Sequence, residues 1–372
     1  MDDARILIIG GGIGGLTSAI ALRQRGFEVT IVERDPDWSV YGVGIIQQAN
    51  VVRAVAELGI LDDYLANAFP FDAVEMFAPD GTQIAVIPSP KLAGEDFPAQ
   101  LGISRPALQR VLADRARSLG TEIRLGVTTS GLADDGAGVD VEFTDGTAGR
   151  YDIVIGADGL YSATREQLLP DAPKPEFTGQ AVWRYNFDRP ADVVNLQAYT
   201  GRIGVGLVPL SATTMYMYLT TPEPGNPRLP VAGRAVAMRQ RLAGAAPAIA
   251  RLASEITDDD AVVYKPLETL LVDGPWSTGR VVLIGDAVHG TTPHLGQGAG
   301  MAIEDSLVLA EELARAATPE DAFATFRARR FERCKFIVEN SIAVGEFQLG
   351  RRDTLDYPAL TREMFERTAA PL

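Results

Sequence analysis

The chain has 372 residues, with Lys+Arg 34 against Asp+Glu 49 and a formal net charge of −15. Hydrophobic residues make up 46%, enough for a sizeable core in about two domains, which excludes disorder, a collagen-like repeat and a small disulfide-stapled scaffold. One cysteine (Cys334) and two histidines argue against a metal centre and fit a reducing cytoplasm, and the acidic balance argues against a nucleic-acid partner.

Residues 6–22 are apolar, yet Asp2 and Asp3 precede them and five glycines interrupt them, a poor secretory leader and a poor membrane helix. No other stretch is long enough to span a bilayer, so the chain reads as soluble. Arg5–Ile9 is a short buried strand, followed by a helix with Ile13, Leu16 and Ile20 on one face and Gly26 as its C-cap. A second strand over 27–33 completes a strand–helix–strand unit, which implies parallel strands. Its turn carries Gly10-x-Gly12-x-x-Gly15. Gly10 permits the tight turn, Gly12 lets backbone approach a pyrophosphate, and Gly15 lets helix and strand pack closely. Glu33 ends the second strand, where a carboxylate accepts hydrogen bonds from ribose hydroxyls and repels a 2′-phosphate; the site therefore suits FAD or NAD. Arg34 beside it is placed to line the adenine.

From Ala73 the pattern changes to a hairpin turning at Asp80-Gly81, then a helix over 105–119. Strands over 138–143 and 151–156 follow, with Asp145-Gly146 between them. The second ends in Gly156-Ala157-Asp158-Gly159, with Ser162 and Arg165 beyond. Residues 171–272 alternate in short proline-punctuated runs, which predicts an antiparallel sheet. There Trp183, Tyr185 and Phe187 share one strand face and Arg184 and Asn186 the other; Tyr216 and Tyr218 oppose Met215 and Met217. One of these faces should roof a ligand. Arg184 on it would pair with an anionic substrate, and Tyr216 would hydrogen-bond a ring hydroxyl and help remove its proton. Arg202 is a further candidate.

A buried strand then leads into Gly285-Asp286 and the run Pro293-His294-Leu295-Gly296-Gln297-Gly298 before a helix over 300–316. Strand C-terminal ends of an open α/β sheet are where ligands bind, and N–H groups at that helix start favour developing negative charge. A second helix carries Phe323, Phe326, Cys334 and Ile337 inward. Its basic run (Arg327, Arg329, Arg330, Arg333 and Lys335, broken by Glu332) reads as a solvated face. The tail after Gly345 is irregular, with a terminal helix at most.

In this order and spacing the three glycine-rich motifs resemble the single-component flavoprotein aromatic hydroxylases, similar to p-hydroxybenzoate, salicylate and urate hydroxylases, over about residues 4–345. The resemblance implies FAD as resident cofactor, with Gly10, Gly12, Gly15 and Glu33 on its ADP half. It further implies Arg105 in contact with the cofactor, Asp158 near the pyrophosphate and a passing NADH or NADPH, and Asp286 on the ribityl chain. Gly296, Gly298 and Ala299 would face the isoalloxazine, with Pro293 beside the ring and His294 within reach of flavin or substrate. The implied activity is monooxygenation of a small aromatic or heteroaromatic compound with NAD(P)H and O₂ through a flavin hydroperoxide. The alternatives are an FAD-dependent reductase or oxidase without oxygen insertion, and a non-catalytic flavin-binding protein.

The expected fold is α/β. A discontinuous Rossmann-like FAD-binding domain (1–72, 100–170 and 273–345) receives an inserted mixed or antiparallel substrate-binding sheet domain (73–99 and 171–272), with 346–372 as tail. The expected setting is cytoplasmic, as a monomer or homodimer without a membrane partner.

Overall fold

The computed structural model describes residues 4–372, so Asp2 and Asp3 of the N-terminal reading lie outside the described residues. Arg5–Ile9 is central in a six-stranded sheet, parallel to Glu28–Glu33 on one side and to Ile153–Gly156 on the other. Glu122–Leu125 extends it beyond Glu28–Glu33. Val281–Leu283 extends it beyond Ile153–Gly156, and the antiparallel pair Ser277–Thr278 closes that edge. Ile6, Leu7 and Ile8 are fully buried, as expected for strands covered on both faces. The helix Ile13–Arg23 covers one face and packs against Gly298–Arg315, where Thr17 and Ser18 meet the Ser306 hydroxyl at 2.7 and 2.9 Å.

The predicted strand over 151–156 is two strands. Tyr151 ends Ala148–Tyr151, in a separate three-stranded sheet with Val139–Phe143 and Thr129–Asp134, whereas Ile153–Gly156 enters the central sheet. Asp152 is the pivot, its carboxylate accepting the Arg5 N–H at 2.7 Å. Another small sheet, Gly44–Gln47, Gln100–Ser104 and Ala68–Phe71, and two helices, Ala49–Glu57 and Leu61–Asn67, occupy a stretch for which the sequence pattern predicted no element.

A seven-stranded sheet faces the central one. It runs Val263–Thr269, Glu176–Asp188, Thr214–Pro222, Gly204–Pro209, Leu196–Tyr199, Ala73–Phe77, Gln83–Pro88 and is antiparallel except between Leu196–Tyr199 and Ala73–Phe77. Trp183, Phe187, Met215 and Met217 pack its outer face against Met238, Ile249 and Leu252 of two short helices. The alternation that buries these residues turns Arg184, Tyr216 and Tyr218 the other way, toward the rest of the molecule.

The C-terminal region is more regular than expected. One helix runs Pro319–Gln348, past the predicted break at Gly345, and another spans Tyr357–Ala369. The expected solvated basic face is corrected at Arg330, which is fully buried between Glu304 (2.7 Å) and Asp305 (2.8 Å). Helical spacing locates a face, but the partners that bury it come from another helix. Among the described residues no helix is long and apolar enough to cross a membrane.

Candidate active site

A cavity of about 480 Å³ opens where the strand ends of the central sheet face the seven-stranded sheet. Gly10 turns at φ +109°, and a Cβ there would meet the Ala157 carbonyl oxygen at 2.4 Å; a Cβ on Gly15 would meet the Gly10 oxygen at 1.9 Å. These glycines are required by the protein's own packing. Gly12 differs. It lines the cavity, its φ is −78°, and a Cβ there would touch nothing within 4 Å. The following helix has no side-chain cap and no acid in its first turn, so its leading N–H groups remain free for an anion.

Glu33 stands at this end, accepting the N–H of Gly11 at 2.7 Å on one oxygen and that of Asp35 at 2.9 Å on the other. Each oxygen retains a lone pair. Trp38 donates from its indole to the Gly11 carbonyl at 2.8 Å and Gln109 from its amide at 3.2 Å. Neither residue stands out in the sequence, because the contact depends on packing. Arg34 is exposed and, like Glu33, lies outside the lining of the cavity; the chain leaves the strand with that side chain facing solvent.

Asp158 sits between two residues of the cavity wall. Its carboxylate accepts from the Ser162 hydroxyl at 2.5 Å and from the Thr164 N–H and hydroxyl at 3.0 and 2.9 Å, so it organises the short helix Ala163–Leu168. Its neighbours Ala157, Gly159 and Leu160 form the wall instead.

At the other end, Asp286 faces the cavity and makes no side-chain hydrogen bond among the described residues. Burial pushes its carboxyl up, while His289 and Arg105 oppose the shift. Gly296 turns at φ +65° before a second helix start, Gly298–Arg315, again without a side-chain cap. Gly296, Gly298, Ala299 and Pro293 all line the cavity. Beneath them Gln297 donates to Gln48 at 2.5 Å and to Asn50 at 3.0 Å, fixing the loop to the helix Ala49–Glu57.

Arg105, opening the helix Arg105–Ser118, and Arg184, on the long strand, face the same space with Tyr216 and Tyr218. Neither guanidinium has an ion pair or side-chain hydrogen bond among the described residues. Burial draws Arg184 down to about 10, and the like charge of Arg105 adds to the effect. Burial pushes the Tyr216 phenol up against the pull of Arg184 and Arg105, so at neutral pH it is a hydrogen-bonding group and not a base.

His294 lies off this cavity. Its Nδ1 is 2.8 Å from the Thr292 hydroxyl and its Nε2 is 3.2 Å from Gln348 Oε1, and burial lowers its pKa to about 4. Gln348 Oε1 only accepts, so Nε2 carries the proton, and the neutral ring lines a smaller recess instead. The cavity also has no place for Arg202, the further candidate.

Comparison with known proteins supplies the context. The FAD binding domain family matches residues 3–341. The aurachin C monooxygenase/isomerase of Stigmatella aurantiaca is 33% identical, covering 92% of this chain and 88% of that protein. The 2-heptyl-3-hydroxy-4(1H)-quinolone synthase of Pseudomonas aeruginosa is 31% identical, covering 91% and 88%. Among solved structures, Klebsiella pneumoniae HpxO complexed with FAD and uric acid superposes with a TM-score of 0.85 at 25% identity, covering 98% of this chain and 92% of that one.

Proposed function

We propose, for a chain that belongs to the FAD-binding family of single-component aromatic hydroxylases, a division of the site into a cofactor cavity and an adjoining substrate recess. The enzyme is an FAD-dependent monooxygenase acting on a small aromatic or heteroaromatic compound with NAD(P)H. The residues of the cavity fit FAD. Two uncapped helix starts, a glycine whose missing side chain no protein atom requires, an unpartnered carboxylate and two guanidiniums without carboxylates are the complement of a long polyanionic ligand with a polyol.

In this reading Gly10, Gly12, Gly15 and Glu33 hold the ADP half, and Asp286 hydrogen-bonds the ribityl chain. The N–H groups at Gly298 and Ala299 face the ring, where they stabilise negative charge on its pyrimidine edge. Arg105 and Arg184 lie on the cofactor side, with Tyr216 as their neutral neighbour. Bound FAD supplies the chemistry, electrons from NAD(P)H and transfer of one oxygen atom from O₂, while the chain orients the ring and excludes water.

The observation that carries the reading is the shared wall. Ile46, Tyr218, Pro293 and Gly296 line both the main cavity and a smaller recess, so a ring in each would meet there. The quinolone in one relative's name and the uric acid bound by HpxO, both heteroaromatic, support a ring of that kind. The chain is read as a monomer or homodimer, and dependence on NAD(P)H favours the cytoplasm.

The test is to purify the protein, record its visible spectrum, and follow NADH and NADPH oxidation in air across a panel of phenols and heteroaromatics. A yellow protein with ligand-stimulated oxidation and a product one oxygen atom heavier is expected. Stimulated oxidation without oxygen in the product would mark an oxidase.

A further inference from the structure

The recess beside the cofactor cavity has a volume of about 90 Å³. Val74, Met76, Leu196 and Ala198 of the seven-stranded sheet form one wall, and the terminal helix Tyr357–Ala369 closes it with Met364 and Phe365. Among the described residues its lining contains no Asp, Glu, Lys or Arg. Gln348 is part of the lining, and its Oε1 accepts from Gln180 at 2.7 Å and from Thr220 at 2.9 Å. Gln348 also donates to the Tyr357 hydroxyl at 3.3 Å, and the imidazole of His294 beside it is neutral.

The cations of the site are elsewhere: Arg105 and Arg184 line the main cavity and not the recess. A carboxylate moved into such a space would surrender its hydration with no guanidinium or ammonium to replace it. A neutral ring carrying a hydroxyl or a ring N–H would instead find apolar walls and the hydroxyls of Tyr218, Tyr357 and Thr361.

We propose that this enzyme takes its substrate uncharged, as a neutral phenol or nitrogen heteroaromatic with apolar substituents, and rejects aromatic carboxylates. The proposal rests on the recess being the substrate's place. It reverses the expectation that Arg184 pairs with an anionic substrate.

The experiment titrates the FAD-loaded protein with matched pairs, salicylamide against salicylate and methyl 3-hydroxybenzoate against 3-hydroxybenzoate, reading the perturbation of the flavin spectrum. The neutral member of each pair should bind at least about tenfold more tightly. In Thr361→Arg, which puts a cation at the half-buried rim, the acids should gain about tenfold while the neutral ligands change little. Acids binding as tightly as their neutral partners, or a flavin spectrum indifferent to both, would overturn the proposal. A chain that takes up no FAD overturns the cofactor reading beneath it, and is recognised by a colourless protein before any ligand is added.

Discussion

The Nε2 of His289 lies 2.6 Å from Asp305 Oδ2, with both side chains wholly buried behind the cavity floor. The same oxygen accepts the N–H of Gly285 at 2.9 Å, so this pair fixes the turn that aims Asp286. Arg330 binds the other carboxylate oxygen at 2.8 Å and sits 3.8 Å from Cys334 Sγ. The ligand atoms of His289, Asp305 and Cys334 lie within 4.8 Å of one another, and the Arg330 guanidinium supplies the cation of this cluster.

Burial by itself would raise the Asp305 carboxyl, yet His289 and Arg330 hold it down at about 2. Its contribution to stability is therefore complete above the unfolded value and is lost only as pH falls toward the folded one. Asp305→Asn should cost about 3–5 kcal/mol at neutral pH, because it leaves a buried guanidinium undercompensated. Denaturant unfolding measures this, and a loss below about 1 kcal/mol would contradict the assigned role.

Gly12 and Gly15 should separate under the same substitution. Gly15→Ala drives a Cβ into the Gly10 carbonyl and should destabilise the fold by at least about 1–3 kcal/mol. Gly12→Ala should melt like the parent yet bind FAD roughly tenfold or more weakly, since its new methyl group meets only what the cavity holds. Thermal melts of the apoprotein alongside FAD titration check both; equal FAD affinity in Gly12→Ala would remove the pyrophosphate from this turn.

His294 makes stability depend on pH with a defined sign. Burial lowers its folded pKa to about 4, below the ordinary value near 6.5, so the unfolded chain binds more protons between these limits. Stability should rise with pH across that window, by at most about 1.4 kcal/mol per pH unit from this group. His294→Gln should flatten the curve there and nowhere else. Melting from pH 4 to 7 measures the slope, and an unchanged profile would mean the ring titrates normally.

Arg184→Gln distinguishes a cofactor arginine from a substrate arginine. On the cofactor side, FAD affinity should fall about tenfold while binding of neutral ring compounds stays within about twofold. The opposite pattern in the two titrations would return Arg184 to the substrate.

What the sequence determined was local. Glycine at positions 10, 12 and 15, the alternation around Arg184 and Tyr216, and the helix start at Gly298 follow from backbone sterics and from periods of two and 3.6 residues, which neighbouring residues set among themselves. Its joint motifs also named the family. Tertiary structure alone decided which polar groups are free. Only the folded chain shows that Ser162 and Thr164 donate to the Asp158 carboxylate and that His294 meets Thr292 and Gln348. Gln348 lies in a stretch where no motif marks it, yet it lines the recess and joins partners from three distant segments. Spacing fixes which side a residue faces. Whether its hydrogen-bonding capacity is already filled depends on atoms that only folding brings within 3 Å.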